Sequence, residues 1–283
     1  AVIQVNGVIM DGDGFVKHQI DRVSRDDQVK AVVVRIDSPG GTVDASDYLY
    51  HHLNRLRKER QIPMVVSMGG LCASGGYYVA MAVGDQKDSI FAEPSTWTGS
   101  IGVVIPHYDF SGLLARFDVK DDSIASHPYK LMGSPTRTLT EEEKKKERDL
   151  LQKLVDTSFN RFKEVVQNGR PAFQKNQDAL DQTATGQIFS SRQALELGLV
   201  DQIGFIEDAV RRAVELANKR PSEVRCVEYK KPPGALDTLL GIETKSLQHD
   251  QSAFKLAEFF DWTAPRAYYL WTTTPALLSG EKR

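Results

Sequence analysis

Ser74 is the residue of this sequence best placed to act as a nucleophile, within Ser67-Met68-Gly69-Gly70-Leu71-Cys72-Ala73-Ser74-Gly75-Gly76-Tyr77-Tyr78. A serine hydroxyl attacks a carbonyl carbon only when a base accepts its proton and N–H groups receive the oxyanion. The run Pro63-Met64-Val65-Val66 reads as a strand, and Tyr77 to Ala82 opens a helical pattern. Ser74 therefore falls at a strand-to-helix turn, beside the unpaired N–H groups of a helix start. The competing reading is a tight glycine turn that packs a helix onto a sheet, with Ser74 capping it.

A second glycine turn has the same setting. Lys30-Ala31-Val32-Val33-Val34-Arg35-Ile36 is a nearly continuous apolar strand of the kind buried on both faces, and it runs into Asp37-Ser38-Pro39-Gly40-Gly41. Paired glycines let backbone amides approach a ligand closely. A phosphate cradle is the alternative, but the GxxxxGK[ST] pattern is missing. Two such turns would lie side by side on one edge of an α/β sheet, where ligands bind.

Two kinds of base are available to Ser74. Of the histidines, His51 and His52 belong to a helical run from Ala45 to Arg60, while His107 and His127 fall in loops after Ser74. Asp109 lies close to His107, so a Ser74/His107/Asp109 triad is one arrangement. The other candidate is Lys130, in Ser126-His127-Pro128-Tyr129-Lys130-Leu131-Met132-Gly133-Ser134-Pro135. Its apolar neighbours Tyr129, Leu131 and Met132 would desolvate the amine and favour its neutral form. The residues alone leave both open.

Four blocks in order resemble the signal peptide peptidase A family: Asp37 to Gly41, Ala73-Ser74-Gly75-Gly76-Tyr77-Tyr78, Thr98-Gly99-Ser100-Ile101-Gly102-Val103, and Lys130 to Pro135. A fifth, from Gly186 through Ala194 and Gly198-Leu199-Val200-Asp201 to Gly204, is similar to that family's C-terminal strand-helix-turn. Together they span roughly residues 1 to 218, with Val83 to Ser89 resembling an insertion. The resemblance implies a ClpP/crotonase fold of repeated ββα units and a Ser/Lys dyad. Ser74 would be the nucleophile, Lys130 the general base and Ser100 the hydroxyl that positions the amine. The oxyanion hole would be the N–H of Gly75 with that of Gly40 or Gly41. No cofactor or metal is implied. A single copy of the domain implies a homo-oligomer, with active sites shared between neighbouring subunits. The family's setting implies the bacterial cytoplasmic membrane, with the catalytic domain on the extracytoplasmic side.

The elements that must position these groups alternate along the chain. Strands are expected near 2–5, 31–36, 64–67, 89–92 and 100–105, and helices near 44–59, 76–83 and 109–117, an α/β order. A long helix from Glu141 to Gln167 is opened by Thr140 with Glu143 as a capping box and closed by Asn168-Gly169. With 283 residues, 41% of them hydrophobic, the chain suits a catalytic domain over 1–220 followed by an extension over 221–283. Lys230-Lys231-Pro232-Pro233-Gly234 reads as a linker, and Phe254, Phe259, Phe260, Trp262, Tyr268, Tyr269 and Trp271 crowd the tail. Such aromatics are expected to pack on the parent domain or a sister subunit, in preference to a membrane-surface or substrate-mimicking role.

A net charge of −2 gives no support to nucleic-acid binding. Two cysteines, Cys72 and Cys226, make no disulfide framework, and Cys72 reads as a small core residue. No run reaches the roughly 18 apolar residues of a membrane span. The opening strand Ala1-Val2-Ile3-Gln4-Val5 is expected to follow an N-terminal anchor missing from this chain. The activity expected is that of a serine endopeptidase acting on remnant signal peptides or similar extended hydrophobic peptides. Its rivals are a crotonase-like acyl-CoA enzyme and a non-catalytic scaffold for membrane complexes.

Overall fold

The computed structural model describes residues 1–230 and 267–270. In chain order the elements are β1 (Val2–Asn6), α1 (Phe15–Arg25), β2 (Val32–Ser38), β3 (Gly40–Thr42), α2 (Val43–Arg60), β4 (Met64–Ala73), α3 (Gly75–Ala80), β5 (Ile90–Ala92) and β6 (Trp97–Gly99). They continue as α4 (Ser111–Ala115), α5 (Glu141–Gly169), α6 (Gln177–Thr183), β7 (Ile188–Ser190), α7 (Ser191–Glu196), β8 (Gln202–Ile203), α8 (Ile206–Leu216) and β9 (Tyr268–Leu270). The α/β architecture expected from the alternation of strands and helices is the one observed. The described residues fall into two compact units, one holding Ala1–Val104, Lys153–Tyr229 and residues 267–270, the other holding Ile105–Gln152 and Lys230. Phe254, Phe259, Phe260, Trp262 and Trp271, and the linker from Lys231 on, lie outside the described residues.

The first unit is organised by a sheet in the order β1-β2-β4-β5-β8, with every neighbouring pair parallel. β-Branched residues alternate between its two faces, as a pleated strand requires. Val33 and Val65 pack against Ala209 and Ala213 of α8. Val34, Ile36, Val66 and Met68 face the other way, into a cluster with Leu49 and Leu53 of α2 and Val79 of α3. Both faces are covered, which is why these strands read as nearly continuous apolar runs.

Asp201 ties the far edge of this sheet. Its carboxylate pairs with the nearly buried Arg170 at 2.7 Å and accepts from the amides of Ser89 and Ile90, each at 2.9 Å. Burial alone would raise Asp201, but the Arg170 guanidinium and the two amides outweigh it and hold the carboxyl below its ordinary value. The resulting stabilisation is present above the unfolded-state value and is lost as pH falls through the depressed folded one.

The capping box at Thr140 is present: the Thr140 amide donates to Glu143 Oε2 at 2.9 Å, and the Glu143 amide donates to Thr140 Oγ1 at 3.3 Å. The strand expected over 100–105 is instead β6, ending at Gly99. Gly99 and Ser100 both take positive φ, 86° and 50°, and two such residues in succession break an extended strand. Among the described residues no helix is long and apolar enough to cross a membrane.

Candidate functional site

β4 and α3 meet at Ser74, which has φ 53° and ψ −116°. An L-residue held there stores on the order of 1–3 kcal/mol of strain, tolerated only where the surroundings over-determine it. They do so here. The Ser74 amide donates to Gly99 O at 2.8 Å, and Ser74 O accepts from the Tyr78 amide at 2.9 Å. One turn on, α3 is anchored by Tyr77, whose hydroxyl donates to Leu199 O at 2.8 Å. Ser74 is 1% exposed, and its Oγ is a buried polar atom without a hydrogen-bond partner among the described residues. Native interiors seldom leave a hydroxyl in this state, and a reactive hydroxyl awaiting a base is one reason to do so.

The backbone segments around Ser74 approach one another at distances only glycine permits. A Cβ on Gly40, whose φ is +98°, would stand 2.6 Å from Gly75 N and 3.1 Å from Ser74 Cβ. A Cβ on Gly41 would meet Ile9 O at 1.8 Å, and one on Gly75 would lie 2.4 Å from Ser46 Oγ and 3.1 Å from Gly41 N. The Gly40 amide is already engaged, donating to Ser38 Oγ at 3.1 Å. Gly41 is likewise engaged, paired with Tyr269 in the β3–β9 ladder.

Ser100 follows β6, which lies parallel to β4 with Gly99 opposite Ala73. It is 6% exposed, and its amide donates to Gln187 O at 2.7 Å. The first unit thus brings together Ser74, Gly75, Gly40, Gly41 and Ser100.

Lys130 belongs to the second unit, on the 3-10 turn Pro128–Leu131. His127 opens this turn, its Nδ1 accepting from the Tyr129 amide at 3.2 Å. The following loop is tied to Glu147, which is 7% exposed and accepts from the Gly133 amide at 3.1 Å and from Arg137 at 3.0 Å. Arg137 also donates to Leu131 O at 3.3 Å. Asp121 accepts from Ser123, Ser134 and Thr136, bonds that hold its carboxyl below the ordinary value. The desolvation expected from apolar neighbours is not supplied locally: Lys130 and Tyr129 are exposed, with Leu131 and Met132 half-buried. The carboxylate of the histidine alternative has other partners. Asp109 accepts from the Ser111 amide at 3.0 Å and its hydroxyl at 2.6 Å, and pairs with Lys144 at 3.5 Å.

Cys72 is fully buried, and burial pushes its thiol well up, as suits a core residue. Among the described residues no cluster of His, Cys, Asp and Glu is placed to hold a metal ion. The sequence reading missed a lining beside the glycines made of Tyr269, Tyr78 and Phe162, with Tyr269 opposite Gly41 in the β3–β9 ladder. The packing of Tyr269 on the parent domain is the one expected for the tail aromatics; its partners Tyr78 and Phe162 are what the sequence did not indicate.

Comparison with known proteins reports on the same region. The sequence model of Peptidase family S49 matches residues 56–220, a segment that contains Ser74, Ser100 and Lys130. The chain is 34% identical over 260 residues to the putative signal peptide peptidase SppA of Enterococcus faecium, covering 89% of this chain and 72% of that protein. It is 36% identical over 263 residues to the putative protease slr0021 of Synechocystis, covering 93% and 90% respectively. To protease 4 of Salmonella typhi it is 32% identical over 256 residues, which cover 88% of this chain and 39% of that longer protein.

Proposed function

This chain belongs to peptidase family S49 and is a serine protease of the signal peptide peptidase A and protease 4 kind, and from that premise we propose a Ser/Lys mechanism at Ser74. Neutral Lys130 takes the proton from Ser74 Oγ as the oxygen attacks the peptide carbonyl carbon. The oxyanion rests on the amide of Gly75 together with that of Gly40 or Gly41. The C–N bond breaks, the protonated lysine delivers its proton to the leaving amine, and water then hydrolyses the ester at Ser74. Ser100 orients the lysine amine. The observation that carries this reading is the buried, unpartnered Ser74 hydroxyl at a strained turn, next to the glycine amides.

The substrates proposed are remnant signal peptides or similar extended hydrophobic peptides, cut at the extracytoplasmic side of a bacterial membrane to which an N-terminal anchor would hold the enzyme. We further propose a homo-oligomer in which Lys130 of one subunit serves Ser74 of the next. Its support is the exposure of Lys130 and the apolar surface of its unit, where Phe117 is 73% and Ile124 99% exposed, a surface suited to a sister subunit. The acyl-CoA and scaffold readings give way to the family assignment.

A fluorophosphonate probe followed by peptide mapping tests the mechanism. Labelling is expected at Ser74, strongly reduced in Lys130→Ala. Labelling elsewhere, or none in an enzyme that still cleaves peptides, would remove Ser74 from the mechanism.

A further inference from the structure

The motif Asp37-Ser38-Pro39-Gly40-Gly41 carries a side chain that the mechanism above does not use. Ser38 ends β2 and is fully buried. Strands β2 and β4 pair in step up to Ile36 opposite Met68, and then the register shifts, so that Ser38 stands opposite Cys72. One residue of β2, Asp37, thus faces the stretch Gly69 to Leu71 of β4. That bulge is held from both sides. The Leu71 amide donates to Asp37 Oδ1 at 3.1 Å, and Thr96 Oγ1 donates to Gly69 O at 2.7 Å. Bulges next to active sites re-aim side chains, and without this one Ser38 would stand opposite Gly70, farther back from the nucleophile.

From its shifted position Ser38 reaches both sides of the oxyanion hole. Its Oγ accepts from the Gly40 amide at 3.1 Å, across Pro39, which has no N–H of its own. Gly40 takes φ +98°, and its carbonyl accepts from the Ile9 amide at 2.8 Å. The Ser38 hydroxyl therefore fixes the peptide plane that enters Gly40, and Ile9 fixes the one that leaves it toward Gly41. On the α3 side, a Cβ on Gly76 would meet Ser38 O at 3.0 Å and Ser38 Cβ at 3.4 Å. Glycine holds no backbone conformation by itself, so a neighbour has to select one.

We infer that Ser38 is the positioning residue of the oxyanion hole: its hydroxyl locks the Pro39–Gly40 peptide so that the β3 amides are set beside the Gly75 amide before substrate arrives. The inference rests on the peptidase reading of Ser74 and adds to it a residue that acts through the backbone. Preorganised donors stabilise charge that develops only in the transition state, so misplacing them lowers kcat and leaves ground-state binding alone. A displacement of about 1 Å costs on the order of 10²-fold. A side chain that merely filled space beside Cys72 would affect stability without this split.

Three substitutions separate the acceptor from the volume. Ser38→Ala removes both, Ser38→Cys keeps the volume with a weak acceptor, and Ser38→Thr keeps the hydroxyl. In the folded alanine and cysteine variants, kcat for an extended apolar peptide should fall about 10²-fold while KM changes less than about twofold. Threonine should restore most of the loss; should its extra methyl prevent folding, the alanine and cysteine variants decide alone. A peptide aldehyde, whose adduct with Ser74 Oγ places an oxygen in the hole, should lose affinity by the same factor, whereas the matching peptide alcohol should not. A kcat near that of wild type in Ser38→Cys, whatever alanine does, would make Ser38 a packing residue. Equal loss of aldehyde and alcohol binding would place it in substrate binding instead. Either result overturns the inference and leaves the peptidase reading intact. If Ser74→Ala still cleaves the same peptide, the nucleophile assignment falls and the role of Ser38 falls with it.

Discussion

Ser74 and Lys130 sit in surroundings of opposite kinds. Ser74 is 1% exposed, takes a backbone conformation unfavourable to an L-residue, and is enclosed by glycines whose missing side chains leave space only for backbone. Lys130 is exposed on a short 3-10 turn, and the loop after it is held by polar groups, Glu147, Arg137 and Asp121, rather than by a core. A nucleophile and its oxyanion donors must be positioned to within a fraction of an ångström before substrate arrives, which a packed interior provides. A lysine base needs a dry environment to be neutral, and an exposed turn acquires one only when something else covers it. On the proposed mechanism the nucleophile half is complete in the fold, and the base half would depend on completion by another surface.

The comparison breaks most visibly at the nucleophile. Ser74→Ala should reduce peptide hydrolysis to the uncatalysed background with the circular dichroism spectrum unchanged, since one oxygen is lost from a turn held by backbone. More than a few per cent residual turnover would assign the chemistry to another residue. Lys130→Ala should cost about 10²–10⁴-fold in kcat. Its melting temperature should stay within the small range of an exposed substitution, because Lys130 is exposed. Lys130→Arg should not restore activity, since a guanidinium stays protonated. Wild-type kcat/KM should climb with pH through the neutral-to-alkaline range, as a lysine acts as base only when neutral. A profile governed by a histidine, together with loss of activity in His107→Ala but not in Lys130→Ala, would overturn the assignment.

Mixing the two inactive variants sharpens the comparison further. If each site takes serine from one subunit and lysine from the next, random exchange of equal amounts of Ser74→Ala and Lys130→Ala chains leaves about one junction in four with both groups intact. Recovery of about a quarter of wild-type activity is the expected result. None, with exchange demonstrated by mass, would mean that each chain completes its own dyad.

What was legible in the sequence was local. The two glycine turns after apolar strands, the Thr140/Glu143 capping box and the core position of Cys72 each follow from neighbours a few residues away. Helix α1 was overlooked because its N-terminus carries Gly14 with no side-chain cap, so no start signal marks it. The strand expected over 100–105 failed because the apolar run Ile101 to Ile105 hides the left-handed turn at Ser100. The exposure of Lys130 was hidden in the opposite sense, by apolar neighbours that do not close over it. The packing around Tyr269 was illegible for a different reason: its partners come from α3 and α5, and a pairing between Gly41 and Tyr269 leaves no periodic trace in either segment.

The smallest effect isolates the backbone on the nucleophile side. Ser74→Ala and Ser74→Gly both lack the hydroxyl, so both should be inactive, yet they differ in what the turn asks of the chain. At φ 53° and ψ −116° an alanine keeps the Cβ that makes the conformation costly, whereas glycine adopts it freely. Against the roughly 1–3 kcal/mol of strain relieved stands about 0.5–1 kcal/mol of extra entropy that glycine gives the unfolded chain. The balance favours Ser74→Gly over Ser74→Ala by about 1 kcal/mol, a rise of roughly 2–4 °C in melting temperature for a domain of this size. Paired thermal melts of the two variants measure this directly. A Ser74→Gly protein no more stable than Ser74→Ala would mean that the turn is relaxed with a side chain in place, and that the contrast between the two halves lies in burial alone.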